Sequence, residues 1–515
     1  MYTLGDIPRK SARIRTDFEA VVFEGTRLTH RDLNDRVNRL AGGLVKRGYR
    51  RGDRVAVLAA NTHKYLEIYF AAGKLGMSVT PLNFRLSDAE IAYIVNDSEA
   101  VCFLLGDEYE ERALGMKAEL SRIRDWISLD KEMEGALYYE TLLEGASARE
   151  PVVDVDEDEL AILMYTGGTT GLPKGVLMTH RNIMTAVIAA ALGCGFRYDD
   201  TTCFVLPLFH VSFWPALAVL LVGGKVVINR KPDLREILRL IQDEKCTHIN
   251  MVPTLYTWLL EYPDLESFDL SSLRLMSYAG SPFPPEVLKR CIQKFGDRFM
   301  QAYGMTEALG ASGLSPWDHV LEGERSRLLA SAGKESLCAD LRVVNEEGLP
   351  VPAGAVGEIA IRGKHVMKGY WKNEEQTRKA IRNGWFHSGD MGYIDEEGYL
   401  FLVDRKADMI VTGGENVYPK ETEDVLYEHP AVLECAVVSA PDTRWGERVQ
   451  AAVVLKAGQR ATAEELIEHC KKRLAGYKCP KAIEFWQALP KTPIGKILRK
   501  DVKKRFWEGH ARTIG

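Results

Sequence analysis

A short apolar run at residues 160–164 leads directly into Tyr165-Thr166-Gly167-Gly168-Thr169-Thr170-Gly171-Leu172-Pro173-Lys174-Gly175-Val176. The run predicts a strand buried on both faces, the kind that belongs to α/β architectures. The glycines that follow free the backbone to approach a ligand closely, and the threonine hydroxyls and Lys174 supply donors for anionic oxygens. Successive backbone N–H groups in such a loop converge on one phosphate. It is not a Walker loop, because Lys174 precedes its glycine and no Gly-Lys-Ser/Thr follows.

Around this loop the chain repeats a strand–helix rhythm. Ala20 to Phe23 and Arg27-Leu28 flank a Glu-Gly turn and predict a hairpin, after which Thr29 caps a helix with Leu33, Val37, Leu40 and Leu44 on one stripe. A strand at 55–59 precedes a helix that Asn61 would cap. Ser87 and Glu90 have capping-box spacing, and a strand follows at 100–105. Residues 131–159 are acidic and irregular, as a surface connection would be. Strands are expected at 225–228, 248–252, 273–278 and 299–302, with parallel pairing and right-handed crossovers. From 340 to 403 short alternating runs punctuated by Gly pairs predict antiparallel hairpins. Helices near 420–427 and 463–474, with strands at 433–438 and 449–455, make a small domain whose start is the charged break Asp404-Arg405-Lys406-Ala407-Asp408.

Length and charge narrow the function. At 515 residues two or more domains are expected, and a 46% apolar fraction supports a large core. A formal net charge of −5 leaves no electrostatic footprint for nucleic acid. Nine scattered cysteines lack metal-ligand spacing, and their odd number argues against a disulfide framework. With a polar start, no apolar signal core and no transmembrane segment, the expected location is cytoplasmic.

The glycine-rich stretch resembles the signature of the adenylate-forming superfamily: acyl-CoA synthetases, luciferases and peptide-synthetase adenylation domains. Gly167 stands where a serine is usual. The resemblance runs from about residue 28 to 499 and implies an α/β fold. A large N-terminal domain of parallel-rich layers with an antiparallel β subdomain would span 1–404. A small mobile α+β C-terminal domain would span 405–515. ATP would be held by Thr166, Gly167, Gly168, Thr169, Thr170, Gly171 and Lys174. Ala279-Gly280-Ser281 resembles the segment along adenine. Gln301, Ala302, Tyr303, Gly304 and Met305 would line the base, with Tyr303 stacked on it. Thr306 would meet the α-phosphate. Nucleotidyl chemistry needs a carboxylate for Mg²⁺ beside phosphate, and Glu307 supplies it, with Thr170 as the other candidate ligand. His387-Ser388-Gly389-Asp390 resembles the ribose element, where Asp390 accepts from the sugar hydroxyls and Arg405 reaches the sugar or phosphate.

Pro490-Lys491-Thr492-Pro493-Ile494-Gly495-Lys496 resembles the mobile loop whose last lysine bridges carboxylate and α-phosphate, so Lys496 is the expected catalytic residue with Thr306 and Glu307. The implied chemistry is two-step. Acid and ATP give acyl-AMP and pyrophosphate, then a thiol such as CoA attacks the mixed anhydride. Gly413-Gly414-Glu415-Asn416 resembles the loop that faces the thiol, and Ala407 occupies the hinge position, where Asp or Lys is usual.

Leu206-Pro207-Leu208-Phe209-His210 resembles an acyl-pocket entry, and the pocket would be lined by Phe209, His210, Val211, Phe213, Trp214 and Tyr278. No carboxylate follows it to hold an amino group, so an amino acid is disfavoured. Phe213 and Trp214 either narrow the pocket or pack the core. The expected acid is fatty (medium-chain or longer), cyclic or aromatic, and the partners are that acid, ATP and CoA, with a homodimer possible. Open alternatives are an adenylating enzyme with another acceptor, a non-catalytic nucleotide-binding regulator, and a phosphate-loop ATPase releasing ADP.

Overall fold

A computed structural model of the chain describes residues 3–166, 173–405, 408–412, 415–442, 444–492 and 495–508. It is mixed α/β, with two large parallel-rich sheets, an antiparallel subdomain and a separate small α+β domain at the C-terminal end.

Both large sheets follow one plan. The eight-stranded sheet runs parallel through Leu160–Thr166, Ser78–Pro81, Arg54–Leu58, Cys102–Leu105, Asp125–Ser128 and Leu137–Tyr138, then turns antiparallel at Lys174–Thr179 and Gly369–Tyr370. The nine-stranded sheet is parallel through Phe299–Met305, Leu275–Ala279, His248–Met251, Thr201–Phe204, Lys225–Ile228 and Glu19–Phe23. It turns antiparallel at Ala308–Leu314 and Lys334–Glu335 on one edge and at Thr26–Thr29 on the other. Their strands are buried Val-, Ile- and Leu-rich runs, as sheets covered on both faces require. The predicted hairpin at 20–28 forms, and the stripe Leu33, Val37, Leu40 and Leu44 is buried.

Local signals explain several helix starts. Thr29 with Asp32, and Ser87 with Glu90, close reciprocal capping boxes. Helix His63–Leu75 is capped by Thr62 instead of Asn61. The Asn61 amide reaches across to the other sheet, donating to the carbonyls of Leu206 and Asn229 at 3.0 Å each and accepting from the Leu208 N–H at 2.7 Å. The connection 131–159 is likewise not purely superficial. It holds helix Tyr139–Leu143, whose fully buried Tyr139 donates to Glu67 at 2.7 Å, and Glu67 is itself buried and paired with Arg36. A buried tyrosine and a paired carboxylate satisfy each other where neither could face apolar surroundings alone.

Strands Asp340–Val344, Gly357–Arg362, Trp385–Ile394, Ile381–Arg382 and Leu400–Arg405 form the antiparallel sheet. The last sheet combines Ile410–Thr412, Glu415–Val417, Val432–Asp442 and Gly446–Leu455 with the parallel strand Ala482–Phe485, backed by helices Pro419–Tyr427, Ala463–Lys471 and Arg499–Trp507. At the junction, Arg499 pairs with Asp404 at 2.7 Å and with Glu423 at 2.5 Å. All nine cysteines are free thiols. Among the described residues no helix is long and apolar enough to cross a membrane.

Candidate active site

At the matching edge of each large sheet, the place where parallel pairing gives way to antiparallel carries a hairpin of chemical interest. In one, Leu160–Thr166 and Lys174–Thr179 pair with Thr166 opposite Lys174. The phosphate-loop residues Gly167, Gly168, Thr169, Thr170 and Gly171 lie outside the described residues, as do Ala407, Gly413 and Gly414. In the other, Phe299–Met305 and Ala308–Leu314 are joined by the two-residue turn Thr306-Glu307. The strand thus runs past the sequence-predicted end at 302, because Gly304 sits at an irregularity in the ladder between Tyr303 and Met305. A Cβ on Gly304 would come within 2.5 Å of the Gly310 nitrogen, so only glycine allows the two strands this approach.

Thr306 is buried and Glu307 half-buried at the hairpin tip. Glu307 accepts from the Tyr370 hydroxyl at 3.1 Å, and its carbonyl accepts from the Met367 N–H at 2.8 Å. Burial, with the Glu307 charge beside it, pushes the Tyr370 phenol well up, so it stays a donor. A single carboxylate on a turn suits Mg²⁺, which takes one or two carboxylates together with phosphate oxygens in place of an all-protein cage.

Ala279, Gly280 and Ser281 stand at the carboxyl end of the parallel strand Leu275–Ala279, beside Gln301 and Ala302 of its neighbour. Carboxyl ends of parallel strands are where open α/β sheets take ligands. The Gln301 side-chain oxygen is buried with no partner among the described residues. Tyr303 donates to Asp390 at 2.7 Å, joining the expected base-stacking ring to the expected ribose carboxylate. Asp390 is set by its own N–H donating to Ser388 Oγ at 3.1 Å, and its backbone pairs with that of Arg405.

The loop bearing Lys496 reaches this body. Thr254 Oγ1 donates to the Gly495 carbonyl at 2.8 Å, and Lys491 Nζ lies 5.1 Å from the Trp258 ring centroid. The loop closes on itself where Thr492 N–H donates to the Lys496 carbonyl and Lys496 N–H to Thr492 Oγ1. Lys496 is near enough to act on His210, whose pKa falls to about 4 through burial first and the Lys496 charge second. His210 accepts from the Ser212 N–H at 3.3 Å through Nδ1 and is neutral at physiological pH.

Of the expected acyl-pocket residues, Phe209, Val211 and Tyr278 are buried, and Trp214 is half-buried. Phe213 is wholly buried and stacks on Tyr69, with centroids 5.0 Å apart and planes at 14°. Trp214 instead faces Gly310, where a Cβ would lie 3.4 Å from the indole. The Tyr278 hydroxyl donates to His319 Nε2 at 3.0 Å, and His319 Nδ1 donates to the Ser315 carbonyl at 2.9 Å. Burial, only partly opposed by that carbonyl and the nearby Asp318 charge, lowers the His319 pKa to about 4, so the relay keeps this one proton order. Glu415 and Asn416 are exposed, on strand Glu415–Val417. Thr254, His319 and Tyr370 carry no motif in the sequence; Gly495, Tyr278 and Glu307, the groups they meet at the site, are distant from them in the chain.

The model of the AMP-binding enzyme family matches residues 8–371, and that of the AMP-binding enzyme C-terminal domain matches 421–496. A feruloyl-CoA synthase from an Amycolatopsis species is 40% identical over 506 residues, covering 98% of this chain and 99% of that protein. The long-chain-fatty-acid–CoA ligase FadD13 of Mycobacterium tuberculosis is 33% identical over 512 residues, again covering 98% and 99%. The solved amide bond synthetase McbA from Marinactinospora thermotolerans superposes with a TM-score of 0.89 at 30% identity, covering 98% of this chain and 100% of that one. The chain belongs to the adenylate-forming superfamily of AMP-binding enzymes, among its AMP-forming acid–CoA ligases.

Proposed function

We propose that this protein activates a flat aromatic carboxylic acid with ATP and passes the acyl group to CoA. The carrying observation is the convergence of the Thr306-Glu307 turn, the Tyr303–Asp390 pair and the Lys496 loop docked on Thr254. In the first step one oxygen of the acid attacks the α-phosphorus, the bond to the β-phosphate oxygen breaks, and acyl-AMP and pyrophosphate form. Lys496 offsets the negative charge that two anions bring together. At about 4 Å and an effective dielectric of ~20, such a contact is worth on the order of 4 kcal/mol before solvation costs. Thr306 donates to the α-phosphate, and Asp390 accepts from the ribose. Glu307 and Thr170 would hold Mg²⁺, which when bound supplies charge neutralisation between phosphate oxygens. In the second step the CoA sulfur attacks the acyl carbon and AMP leaves. No side-chain nucleophile is used, so positioning and preorganised charge carry the rate.

The domains proposed for these steps are 1–404 and 405–515, pivoting at Ala407, with residues 413–416 replacing the Lys496 loop when the thiol enters. Support for the aromatic acid is the indole of Trp214 set against the bare backbone of Gly310, and the relative that acts on a feruloyl group. Phe213, stacked on Tyr69, stiffens the wall from behind.

The test is a panel of aromatic, cyclic and fatty acids with ATP, with and without CoA, followed by mass spectrometry. AMP, pyrophosphate and an aryl-CoA are expected. Orthophosphate and ADP would overturn adenylation, acyl-AMP without acyl-CoA would point to another acceptor, and a preference for fatty acids would overturn the pocket argument.

A further inference from the structure

A segment outside every sequence motif, residues 366–371, is pinned to both hairpins of the site. Val366 bridges Ala308, just after Glu307, and the Met367 N–H donates to the Glu307 carbonyl. Gly369–Tyr370 then pairs with Leu177 and Val176 on the strand leaving the phosphate loop, and the Trp371 N–H donates to the Gly175 carbonyl at 2.7 Å. Trp371 Nε1 adds a bond to the Asp97 carbonyl at 2.8 Å. The strap thereby spans the gap between the two large sheets.

Tyr370 occupies its middle. Its N–H donates to Thr377 Oγ1 at 2.9 Å, which fixes the backbone. Its hydroxyl donates to Glu307 Oε1 at 3.1 Å, while Lys174 Nζ lies 5.6 Å from its ring centroid, within cation–π range. One side chain therefore touches both the lysine at the end of the phosphate loop and the carboxylate on the opposite turn. The phenol donor takes one of a carboxylate's about four acceptor sites and so sets the direction in which Glu307 points.

We propose that Tyr370 is a positioning residue for Mg²⁺-ATP, its hydroxyl aiming Glu307 at the metal and its ring holding Lys174 toward the phosphates. This rests on the reading of Glu307 as the metal ligand. Partners that orient a metal-binding group change metal affinity by roughly 10–100-fold when removed.

The experiment uses the full chain without acid, so that nothing turns over. Mn²⁺ is titrated into enzyme and ATP and followed by electron paramagnetic resonance, and ATP affinity is measured separately in EDTA by calorimetry. Tyr370→Phe is expected to weaken Mn²⁺ binding to the enzyme–ATP complex roughly tenfold and to leave metal-free ATP affinity unchanged, because the ring remains. Tyr370→Leu should lose both. Glu307→Gln separates the two claims. If Glu307→Gln loses Mn²⁺ and Tyr370→Phe does not, the phenol merely satisfies a carboxylate and the proposal falls while the metal reading stands. If Glu307→Gln keeps wild-type Mn²⁺ affinity, the metal reading falls and takes the proposal with it. Thermal melts accompany each variant, and should Tyr370→Leu fail to fold, the Phe and Gln variants decide alone.

Discussion

In the N-terminal body Glu307 is fixed from its carbonyl and its carboxylate on the tight turn of a strand hairpin, and Asp390 from its N–H and its carboxylate within a paired strand. The Lys496 loop is held otherwise. It folds on itself through Thr492 and meets the body through the Thr254 hydroxyl and the Lys491–Trp258 contact. One region is built into the sheets; the other, where described, meets them through side-chain contacts. A group required throughout nucleotide binding belongs on the first kind of support, and a group required in one half-reaction belongs on the second.

The sharpest way to break that contrast is Lys496→Ala. It should slow acyl-AMP formation by a hundredfold or more, about 2.7 kcal/mol, and leave conversion of supplied acyl-AMP to acyl-CoA nearly intact. Single-turnover kinetics of each half-reaction measures both. Equal losses would mean the loop serves both steps and is as permanent as the strands it rests on.

Acid should separate the two regions next. His30, His180, His210, His319 and His365 have pKa values lowered to about 4, and His248 to about 3, with burial the first cause each time. All lie in the body. The unfolded chain takes up protons below pH ~6.5 that these buried rings refuse until pH ~4. Their stability contribution is complete above about pH 6.5 and lost as pH falls toward 4, at up to about 1.4 kcal/mol per pH unit for each histidine. His429 and His469 of the C-terminal domain are only half-buried. Hydrogen exchange at pH 7 and pH 5 should therefore show the body opening more than the C-terminal domain, and equal protection losses would contradict it.

The smallest effect sharpens the docking contact. Thr254→Val removes the hydroxyl that meets Gly495 while keeping the shape. A neutral hydrogen bond is worth about 1 kcal/mol, so adenylation should slow roughly fivefold with thioester formation unchanged. A loss in both steps would place Thr254 in the fixed body instead.

What was legible in the sequence was what is local. The capping boxes at Thr29 and Ser87 span four residues, and the apolar strands announce their own burial. The strand Phe299–Met305 outran its predicted end because Gly304, a breaker by propensity, is required by a neighbour that only the fold supplies. Phe213 against Trp214 was undecidable for the same reason: adjacent rings on a short turn diverge, one to Tyr69 and one toward Gly310. Tyr370 gave no signal at all, since its value lies in being between two groups, and neither is near it in the chain.

Asn61 carries a different kind of consequence. Its amide stitches the helix start of one large sheet to the Leu206 and Asn229 carbonyls and the Leu208 N–H of the other, using two donors and one acceptor. No other side chain repeats that pattern at that length. Asp would turn a lone pair toward two carbonyls, Gln would add a methylene to a filled space, and Leu would strand three backbone groups. Asn61 thus helps fix the spacing between the layers, together with the Tyr69 hydroxyl on the Leu208 carbonyl, while the proposed pocket walls beyond it are apolar side chains. If the proposed pocket is correct, changes of acid preference have a free route through Phe209, Val211 and Trp214 and a closed one through the stitch behind them.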